Sequence, residues 1–226
     1  MNRIVVDLLA GNARHAEQFA DRFDDVQDAQ RPVAVTVCCS DSRVLQDQMW
    51  GNEQPGHLFT VGNIGNRVVQ RGETGEEVSD DVLYPIDHTG TETAVVVGHT
   101  GCGAVTGAYR ALVDEGSEPA GIEHSLSLLA PHLRDGVATL PDGLDSAAAV
   151  NRLVEYNVDQ QVSSLAESDR VPESVDVVGA VYDFQDVYGG RRGEIHVVNV
   201  DGERRVDALR DDYPAIGDRI DRLWEY

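Results

Sequence analysis

The sequence contains no lysine, so all 18 of its basic residues are arginines. They are outnumbered by 40 acidic residues, which gives a formal net charge of -22 at pH 7. Because a surface this negative repels phosphate backbones and anionic lipids, we expect neither nucleic acid nor a membrane as a partner. The acid excess favours a halophilic protein, since salt at about 1 M screens like charges beyond roughly 3 Å. A GC-rich genome is the alternative explanation, but it accounts for the arginines better than for the acid excess.

The chain also lacks long apolar runs and has few cysteines. No apolar run approaches the roughly 20 residues of a membrane-spanning helix, and the first residues lack the basic start and apolar core of a secretory signal. Only Cys38, Cys39 and Cys102 are present, an odd count with two of them adjacent, which argues against a disulfide framework. We therefore expect a cytoplasmic protein whose cysteines serve metal or thiol chemistry.

The length and composition are those of one globular domain. The chain has 226 residues, 41% of them hydrophobic, which is enough to bury a substantial core. No internal repeat or low-complexity linker divides it. We predict a single domain over residues 1–226, in which residues 1–30 form an N-terminal helical arm and residues 203–226 an acidic C-terminal tail.

Apolar runs alternate with stretches of helical spacing along the chain, which predicts an α/β fold. Strands are predicted at residues 33–39, 58–61, 94–99, 175–184 and 193–200, the last returning antiparallel to the fourth. Helices are predicted at residues 5–23 with a break near 11–12, at 43–50, from 79 to about 85, and at 105–112, 122–133 and 146–167. The charged stretch 68–79 is predicted to be a surface loop.

The first predicted strand ends in three chemically active side chains, Cys39, Asp41 and Arg43. Its apolar run is continuous and β-branched, which suits a parallel strand buried on both faces. If the backbone stays extended past the run, these three side chains share one side of it, because alternate residues point to opposite faces. Cys38 then faces away as a small buried apolar residue. The pattern places a possible metal ligand beside an ion pair.

A second buried-strand pattern, at residues 94–99, ends in His99-x-x-Cys102. Parallel strands present their carboxyl ends at one edge of a sheet, which is where open α/β sheets bind ligands. Cys39, His99 and Cys102 then offer one nitrogen and two sulfurs to a metal ion. Three such ligands with an open fourth position are typical of catalytic zinc, whereas structural zinc sites are usually closed by four. We therefore predict a catalytic Zn²⁺ site at these residues.

The two motifs together, CCSDSRV and VVGHTGCGAV, closely resemble those of the β-class carbonic anhydrases. The resemblance covers most of the chain. It implies a mostly parallel central sheet, with four parallel strands and one antiparallel edge strand, flanked by helices. It also implies a homodimer or a multiple of dimers, and a zinc lyase that reversibly hydrates CO₂ to bicarbonate and a proton.

The resemblance assigns roles to the residues of both motifs. Cys39, His99 and Cys102 are the expected zinc ligands. Asp41 and Arg43 are the expected catalytic pair: the arginine keeps the carboxylate ionised, and the carboxylate orients the attacking oxygen. In part of the family the equivalent aspartate becomes a fourth zinc ligand in a closed state at lower pH. Two thiolate ligands cancel the metal charge, so we expect activity to favour alkaline pH.

Other positions carry weaker expectations. Gly101 and Gly103 permit tight backbone turns around the ligands, and their amides are candidate substrate contacts. Thr36 and Gly62 stand where some bacterial members of the family have a tryptophan and an arginine of an accessory bicarbonate site, so we expect that site to be absent. The remaining histidines show no ligand spacing, although one of them is a candidate proton shuttle: His15, His57, His88, His124, His132 and His196.

Alternative functions remain open at this point. A carbonyl sulfide or carbon disulfide hydrolase would use the same motifs, since relatives of the family catalyse those reactions. A structural zinc or thiol-redox protein is a further alternative. It is less well supported, because the sequence has neither a second Cys-x-x-His pair nor a Cys-x-x-Cys. A Rossmann-type nucleotide binder would need the Gly-x-Gly-x-x-Gly turn, which the sequence lacks.

Overall fold

A computed structural model describes residues 2–113, 116 and 119–226. Within these residues the strands are β1 (Ala34–Cys39), β2 (Leu58–Asn63), β3 (Val69–Arg71), β4 (Glu76–Val78), β5 (Thr93–His99), β6 (Asp176–Asp183) and β7 (Glu194–Val200). The α-helices are α1 (Arg3–Phe19), α2 (Asp80–Thr89), α3 (Gly103–Leu112), α4 (Ala120–Leu126), α5 (Ala130–Thr139), α6 (Ser146–Ala166) and α7 (Val206–Asp212). Short 3₁₀ helices cover Ala20–Val26, Gln48–Trp50 and Pro214–Arg219.

The central sheet has the strand order β2-β1-β5-β6-β7. The first four of these strands are parallel, and β7 pairs antiparallel with β6 at the edge. Every residue of β1 is buried, as its continuous apolar run predicts for a strand covered on both faces. The predicted α/β fold with four parallel strands and one antiparallel edge strand is confirmed.

Helix α6 packs closely against the middle of the sheet because two strand positions lack a side chain. A Cβ on Gly98 of β5 would lie 2.8 Å from side-chain atoms of Val154 and Val158. A Cβ on Gly179 of β6 would lie 2.7 Å from Val158. These glycines let the helix backbone approach the strands directly behind His99, so the helix fixes the position of this end of β5.

The C-terminal residues fold back onto α6 through two fully buried carboxylates. Asp159 lies 2.7 Å from the Arg222 guanidinium and accepts hydrogen bonds from Tyr226 and Asn199. Glu155 accepts the Tyr188 hydroxyl and two backbone N–H groups of the C-terminal segment. Burial raises the pKa of Glu155, while the nearby arginine opposes that shift. The Arg222 guanidinium is thus the cation shared by both buried carboxylates.

Several predictions about local structure are wrong. Helix α1 continues through residues 11–12, because glycine and asparagine inside a helix cost only about 1 kcal/mol or less each. The predicted helix at residues 43–50 is reduced to the 3₁₀ turn Gln48–Trp50, since the chain before it turns at Asp41. The predicted loop at 68–79 contains the hairpin formed by β3 and β4.

Two further helix boundaries differ from the predictions. Helix α2 begins after Ser79, as the sequence indicates, but continues past Pro85 to Thr89. Pro85 is the sixth of the ten residues of α2, so it removes one backbone hydrogen bond inside the helix, which nevertheless continues for one more turn. The predicted helix at 122–133 is two helices, α4 and α5. Pro131 lies in the first turn of α5, where a missing N–H group has no cost.

Helix α1 buries none of its residues within the chain. Its apolar side chains are exposed, including Ile4 at 64% and Leu8 at 67%. None of the described helices combines the length and apolar character needed to cross a membrane.

We predict that Arg222→Met destabilises the protein by about 3–5 kcal/mol, because it leaves Asp159 and Glu155 buried without their cation. Chemical denaturation at a fixed high salt concentration measures the loss. Arg205→Met is the matched control, since Arg205 pairs with Glu203 on the surface and its removal should change stability little. An equal effect of the two substitutions would contradict the importance of the buried cluster.

Candidate metal centre

The carboxyl ends of two neighbouring strands and the start of one helix supply the central side chains. Cys39 is the last residue of β1, and His99 is the last residue of the adjacent parallel strand β5. Cys102 occupies the N-cap position of α3. All three side chains are buried, and their ligand atoms lie within 4.8 Å of one another. The structure therefore brings together the three residues that the sequence nominates as metal ligands.

The distances fit a tetrahedral zinc ion. The two sulfurs lie 3.9 Å apart, and a tetrahedral ion with Zn–S bonds of about 2.3 Å separates two sulfurs by roughly 3.8 Å. The Nδ1 atom of His99 lies 3.0 Å from the carbonyl oxygen of Thr100 and therefore carries the proton. Its Nε2 atom, buried and without a hydrogen-bond partner among the described residues, presents a lone pair. The donor set is thus pre-arranged for a metal ion.

The charge state of the sulfurs points the same way. The Cys102 thiol donates a hydrogen bond to Cys39, and this bond lowers the pKa of Cys39 to about 4. The same bond and burial raise the pKa of Cys102 well above its usual value. Cys39 is therefore the more acidic of the two residues, and Cys102 holds the proton of their hydrogen bond. A divalent cation that replaces this proton allows both to be thiolates.

Backbone amides support the negative charge on both sulfurs. The Gly65 backbone lowers the pKa of Cys39, and the backbones of Ala104 and Val105 in the first turn of α3 lower that of Cys102, against the larger opposing effects of Cys39 and burial. The free N–H groups of a helix N-terminus stabilise an anion placed there. Gly65 has a φ of +82°, and a Cβ on it would lie 2.9 Å from Leu129. This position therefore requires glycine to bring the amide to the sulfur.

Asp41 and Arg43 form a two-bond ion pair beside the three ligands. Arg43 donates from Nε to Oδ1 at 2.8 Å and from its terminal nitrogen to Oδ2 at 2.6 Å. These bonds hold the pKa of Asp41 well below its usual range and raise the pKa of Arg43. Oδ2 of Asp41 lies 3.8 Å from Nε2 of His99, although Asp41 is outside the group of three mutually close ligands.

The route by which Asp41 and Arg43 meet differs from the prediction. The sequence predicts an extended chain past β1 that places them on one face. In the structure β1 ends at Cys39 and the backbone turns, with the N–H of Val44 donating to the Asp41 carbonyl. The Asp41 side chain also accepts from the backbone N–H of Arg43. Aspartate commonly closes such turns with its own side chain. The pairing is therefore local, made by a turn and not by strand alternation.

Gly101 connects this ion pair to helix α6. Its φ of +63° is in the left-handed region that favours glycine. Its carbonyl accepts from Arg43 at 3.2 Å, and its N–H donates to Asn151 at 2.8 Å. The Gly101 amide is thus already engaged within the protein. Gly103 is exposed at the first turn of α3, with open space around its Cα.

Two further residues at this edge were missed from the sequence. Phe184 follows β6, and its ring lies 5.7 Å from the His99 ring and 4.5 Å from the Arg43 guanidinium carbon. Asp183, the last residue of β6, accepts a hydrogen bond from the Thr100 hydroxyl. The sequence held a partial signal, because the predicted strand at residues 175–184 ends with these two residues and parallel strands present their carboxyl ends at one edge, but it did not show which strands are neighbours.

The remaining candidates lie away from the three ligands. Cys38 faces the other side of β1, where burial raises its pKa to about 12. Thr36 is buried and lines a cavity of about 400 Å³, and a Cβ on Gly62 would lie 2.9 Å from the Gln46 side chain. The absence of an accessory bicarbonate site stays a prediction. His132 pairs with Glu76 at 2.6 Å. In the described part of the chain, no histidine besides His99 belongs to a metal-ligand group.

The fold and the site together define a class: an α/β protein with a three-ligand, zinc-type centre at the carboxyl edge of its parallel sheet. The family model described as carbonic anhydrase matches residues 34–191. This match spans both halves of the metal centre and the last parallel strand. The chain therefore belongs to the carbonic anhydrase family.

Relatives of known sequence agree with this assignment. The chain is 31% identical over 170 residues to a carbonic anhydrase from Pseudomonas aeruginosa, covering 72% of this chain and 74% of the relative. It is 32% identical over 101 residues to a carbonic anhydrase from Helicobacter pylori, covering 44% of this chain. The latter alignment spans 45% of the Helicobacter protein, which is less than half of its length.

Solved structures share the fold. A β-carbonic anhydrase from Sordaria macrospora, described as tetrameric, superposes with a TM-score of 0.71 at 24% identity, covering 88% of this chain and 98% of that one. A Coccomyxa β-carbonic anhydrase in complex with acetazolamide superposes with a TM-score of 0.68 at 21% identity, covering 93% and 90% of the two chains. The fold is thus that of the β-class carbonic anhydrases.

We predict that Cys102→Ser reduces the zinc content from about one ion per chain to near zero, because the centre loses one of its two sulfurs. Metal analysis after gel filtration measures the ratio. Cys38→Ala is the matched control: it also removes a buried thiol, but one on the opposite face of β1, and it should keep the zinc. Full zinc content in Cys102→Ser would contradict the ligand assignment.

Proposed function

We propose that this protein is a zinc lyase that catalyses the reversible hydration of CO₂ to bicarbonate and a proton. One observation carries this proposal: two buried sulfurs and one buried imidazole nitrogen converge within 4.8 Å at the carboxyl edge of the sheet. Three protein ligands leave a coordination position for a small molecule, which is the arrangement of catalytic zinc. The family assignment supports the same reaction.

In this proposal Cys39, His99 and Cys102 hold the metal. Zinc bound by these residues would act as a Lewis acid and make a water molecule a better nucleophile. The Thr100 carbonyl fixes the His99 tautomer so that Nε2 faces the metal. The backbones at Gly65 and at the start of α3 stabilise part of the negative charge of the two sulfurs. Because two thiolate ligands reduce the Lewis acidity of the metal, activity should favour alkaline pH.

Asp41 and Arg43 form the catalytic pair in this proposal. The Asp41 carboxylate, kept ionised by Arg43, accepts a hydrogen bond from the attacking water and orients its lone pair toward CO₂. Both carboxylate oxygens are already bonded to the arginine. Asp41 can become a fourth ligand only if it gives up at least one of these bonds. The arrangement therefore favours the open form of the centre, with Gly103 as the remaining candidate for a substrate contact.

We propose a homodimer or a multiple of dimers built from a single domain over residues 1–226. The support is the unpartnered helix α1, whose apolar side chains Ile4, Leu8 and Leu9 are exposed. Apolar surface of this kind marks an interaction site. The related structure from Sordaria is described as tetrameric.

The two other candidate functions are less well supported. Hydrolysis of carbonyl sulfide or carbon disulfide would use the same centre, but no residue described above favours it. A structural zinc site would need a fourth permanent ligand, and among the described residues only three form the ligand group.

We predict that the zinc-loaded protein hydrates CO₂ in a stopped-flow assay at high salt. Asp41→Asn should lower kcat/KM by about 10²–10³, because a neutral amide binds Arg43 less tightly and is a weaker hydrogen-bond acceptor for the attacking water than the carboxylate. Asp218→Asn, which changes an exposed aspartate in the C-terminal 3₁₀ helix, is the control and should leave the rate unchanged. A parent protein that hydrolyses carbonyl sulfide but does not hydrate CO₂ would refute the proposed reaction.

We further propose that the protein works in the cytoplasm of a halophile, supported by the net charge of -22 and the absence of lysine. Lowering the salt from about 1 M to 0.01 M lengthens the screening distance from roughly 3 Å to 30 Å, so the acidic side chains begin to repel one another.

We therefore predict that the unfolding temperature falls as salt is diluted. Thermal unfolding across a potassium chloride series measures it, and the same series in sucrose of matched osmolality separates charge screening from general solute effects. An unfolding temperature that stays constant down to low salt would refute the halophile proposal.

A further inference from the structure

One aromatic ring contacts both halves of the candidate centre. Phe184 is half-buried directly after β6. Its ring is stacked on His99, with a centroid distance of 5.7 Å and an interplanar angle of 27°. The Arg43 guanidinium carbon lies 4.5 Å from the same ring centroid, which is cation–π distance. The ring therefore lies against a metal-ligand side chain and against the arginine of the catalytic pair.

Arg43 needs such support because its side chain is 49% exposed. Its hydrogen bonds to Asp41 and to the Gly101 carbonyl fix the edge of the guanidinium plane. Hydrogen bonds along an edge do not restrain movement perpendicular to the plane, whereas an aromatic face does. Phe184 supplies that face, so the arginine is held along its edge and on its flat side.

The position of Phe184 is itself fixed by its neighbour in sequence. The buried Asp183 carboxylate accepts hydrogen bonds from the Thr100 hydroxyl at 3.2 Å and from the backbone N–H groups of Gln185 and Val187 at 3.0 and 2.6 Å. These bonds fix the turn that contains Phe184 and connect it to Thr100, the residue after His99. The hydrogen bonds of Asp183 thus fix the position of the Phe184 ring beside the metal centre.

We propose that Phe184 is a positioning residue that holds Arg43 in its two-bond pair with Asp41, and thereby keeps the Asp41 carboxylate out of the metal's fourth coordination position. This inference rests on the proposed metal site. The ring therefore strengthens the binding of any small molecule or anion that enters this coordination position. Without the ring, the arginine moves more freely, the carboxylate is released more often, and it competes for the metal.

The test uses the Co²⁺-substituted protein and azide as the probe, followed by visible absorption. Phe184→Leu keeps an apolar side chain but removes the aromatic face, so the apparent dissociation constant for azide should rise, by at most roughly two- to fivefold, which is the size of a partly exposed cation–π contact. Phe184→Tyr keeps the face and should bind azide as the parent does. Phe59→Leu, which removes a partly buried ring from β2, is the matched control and should also be unchanged.

A double-mutant cycle decides whether the ring acts through Arg43. In an Arg43→Met background the guanidinium is gone, so Phe184→Leu should have no further effect on azide affinity. Additive effects of the two substitutions, or equal azide affinity of Phe184→Leu and the parent, would overturn the inference. If Phe184→Leu does not fold, Phe184→Met replaces it, since methionine keeps most of the volume without an aromatic face.

A second measurement does not depend on the metal. In the metal-free protein, ¹⁵N NMR follows solvent exchange of the Arg43 Nε–H, which should be faster in Phe184→Leu than in the parent and in Phe184→Tyr. Equal exchange rates in the parent and in Phe184→Leu would overturn the inference even if the enzyme is active. A parent that binds no Co²⁺ would instead refute the metal site, and the exchange rates would still decide whether Phe184 holds Arg43.

Discussion

Two buried sulfurs 3.9 Å apart are the constraint on which the rest of the site depends. Both cannot be negatively charged in an apolar interior unless a cation lies between them. Because β1 and β5 are parallel neighbours, Cys39 and His99 at their carboxyl ends lie at the same edge of the sheet. The turn from β5 into α3 brings Cys102 to the same edge. The amide of Gly65 and those at the helix start face the sulfurs. The surrounding structure is therefore arranged around a positive charge.

Helix α6 links this centre to the rest of the molecule. On one side Val154 and Val158 press against Gly98, next to His99, and Asn151 holds the turn at Gly101. On another side the buried carboxylates of the same helix bind the C-terminal segment. A single rigid helix thus serves both the metal site and the packing of the chain end. Its many buried polar groups are satisfied by specific partners, which restricts the ways in which the helix can pack.

The sequence made the centre predictable because its signals are local and strong. Continuous apolar runs identified β1 and β5, and the carboxyl-end rule for parallel strands placed Cys39 and His99 together. The turn at Asp41 was not predictable from alternation, since a side chain that bonds its own backbone overrides an extended pattern. Phe184 was missed because its role depends on which strands are neighbours. A single apolar residue at the end of a strand does not indicate the strand order. The hairpin of β3 and β4 was hidden by its charged residues, which are those of an exposed ribbon.

Helix α1 has one more consequence. An isolated helix of 17 residues is only marginally stable in water, and this one gains little from burial within its own chain. If a second copy covers it, as proposed, the order of the arm becomes a property of the assembly and follows mass action. Dilution alone should then melt the arm before the sheet is affected, so that the folded content of a sample depends on how much protein it contains.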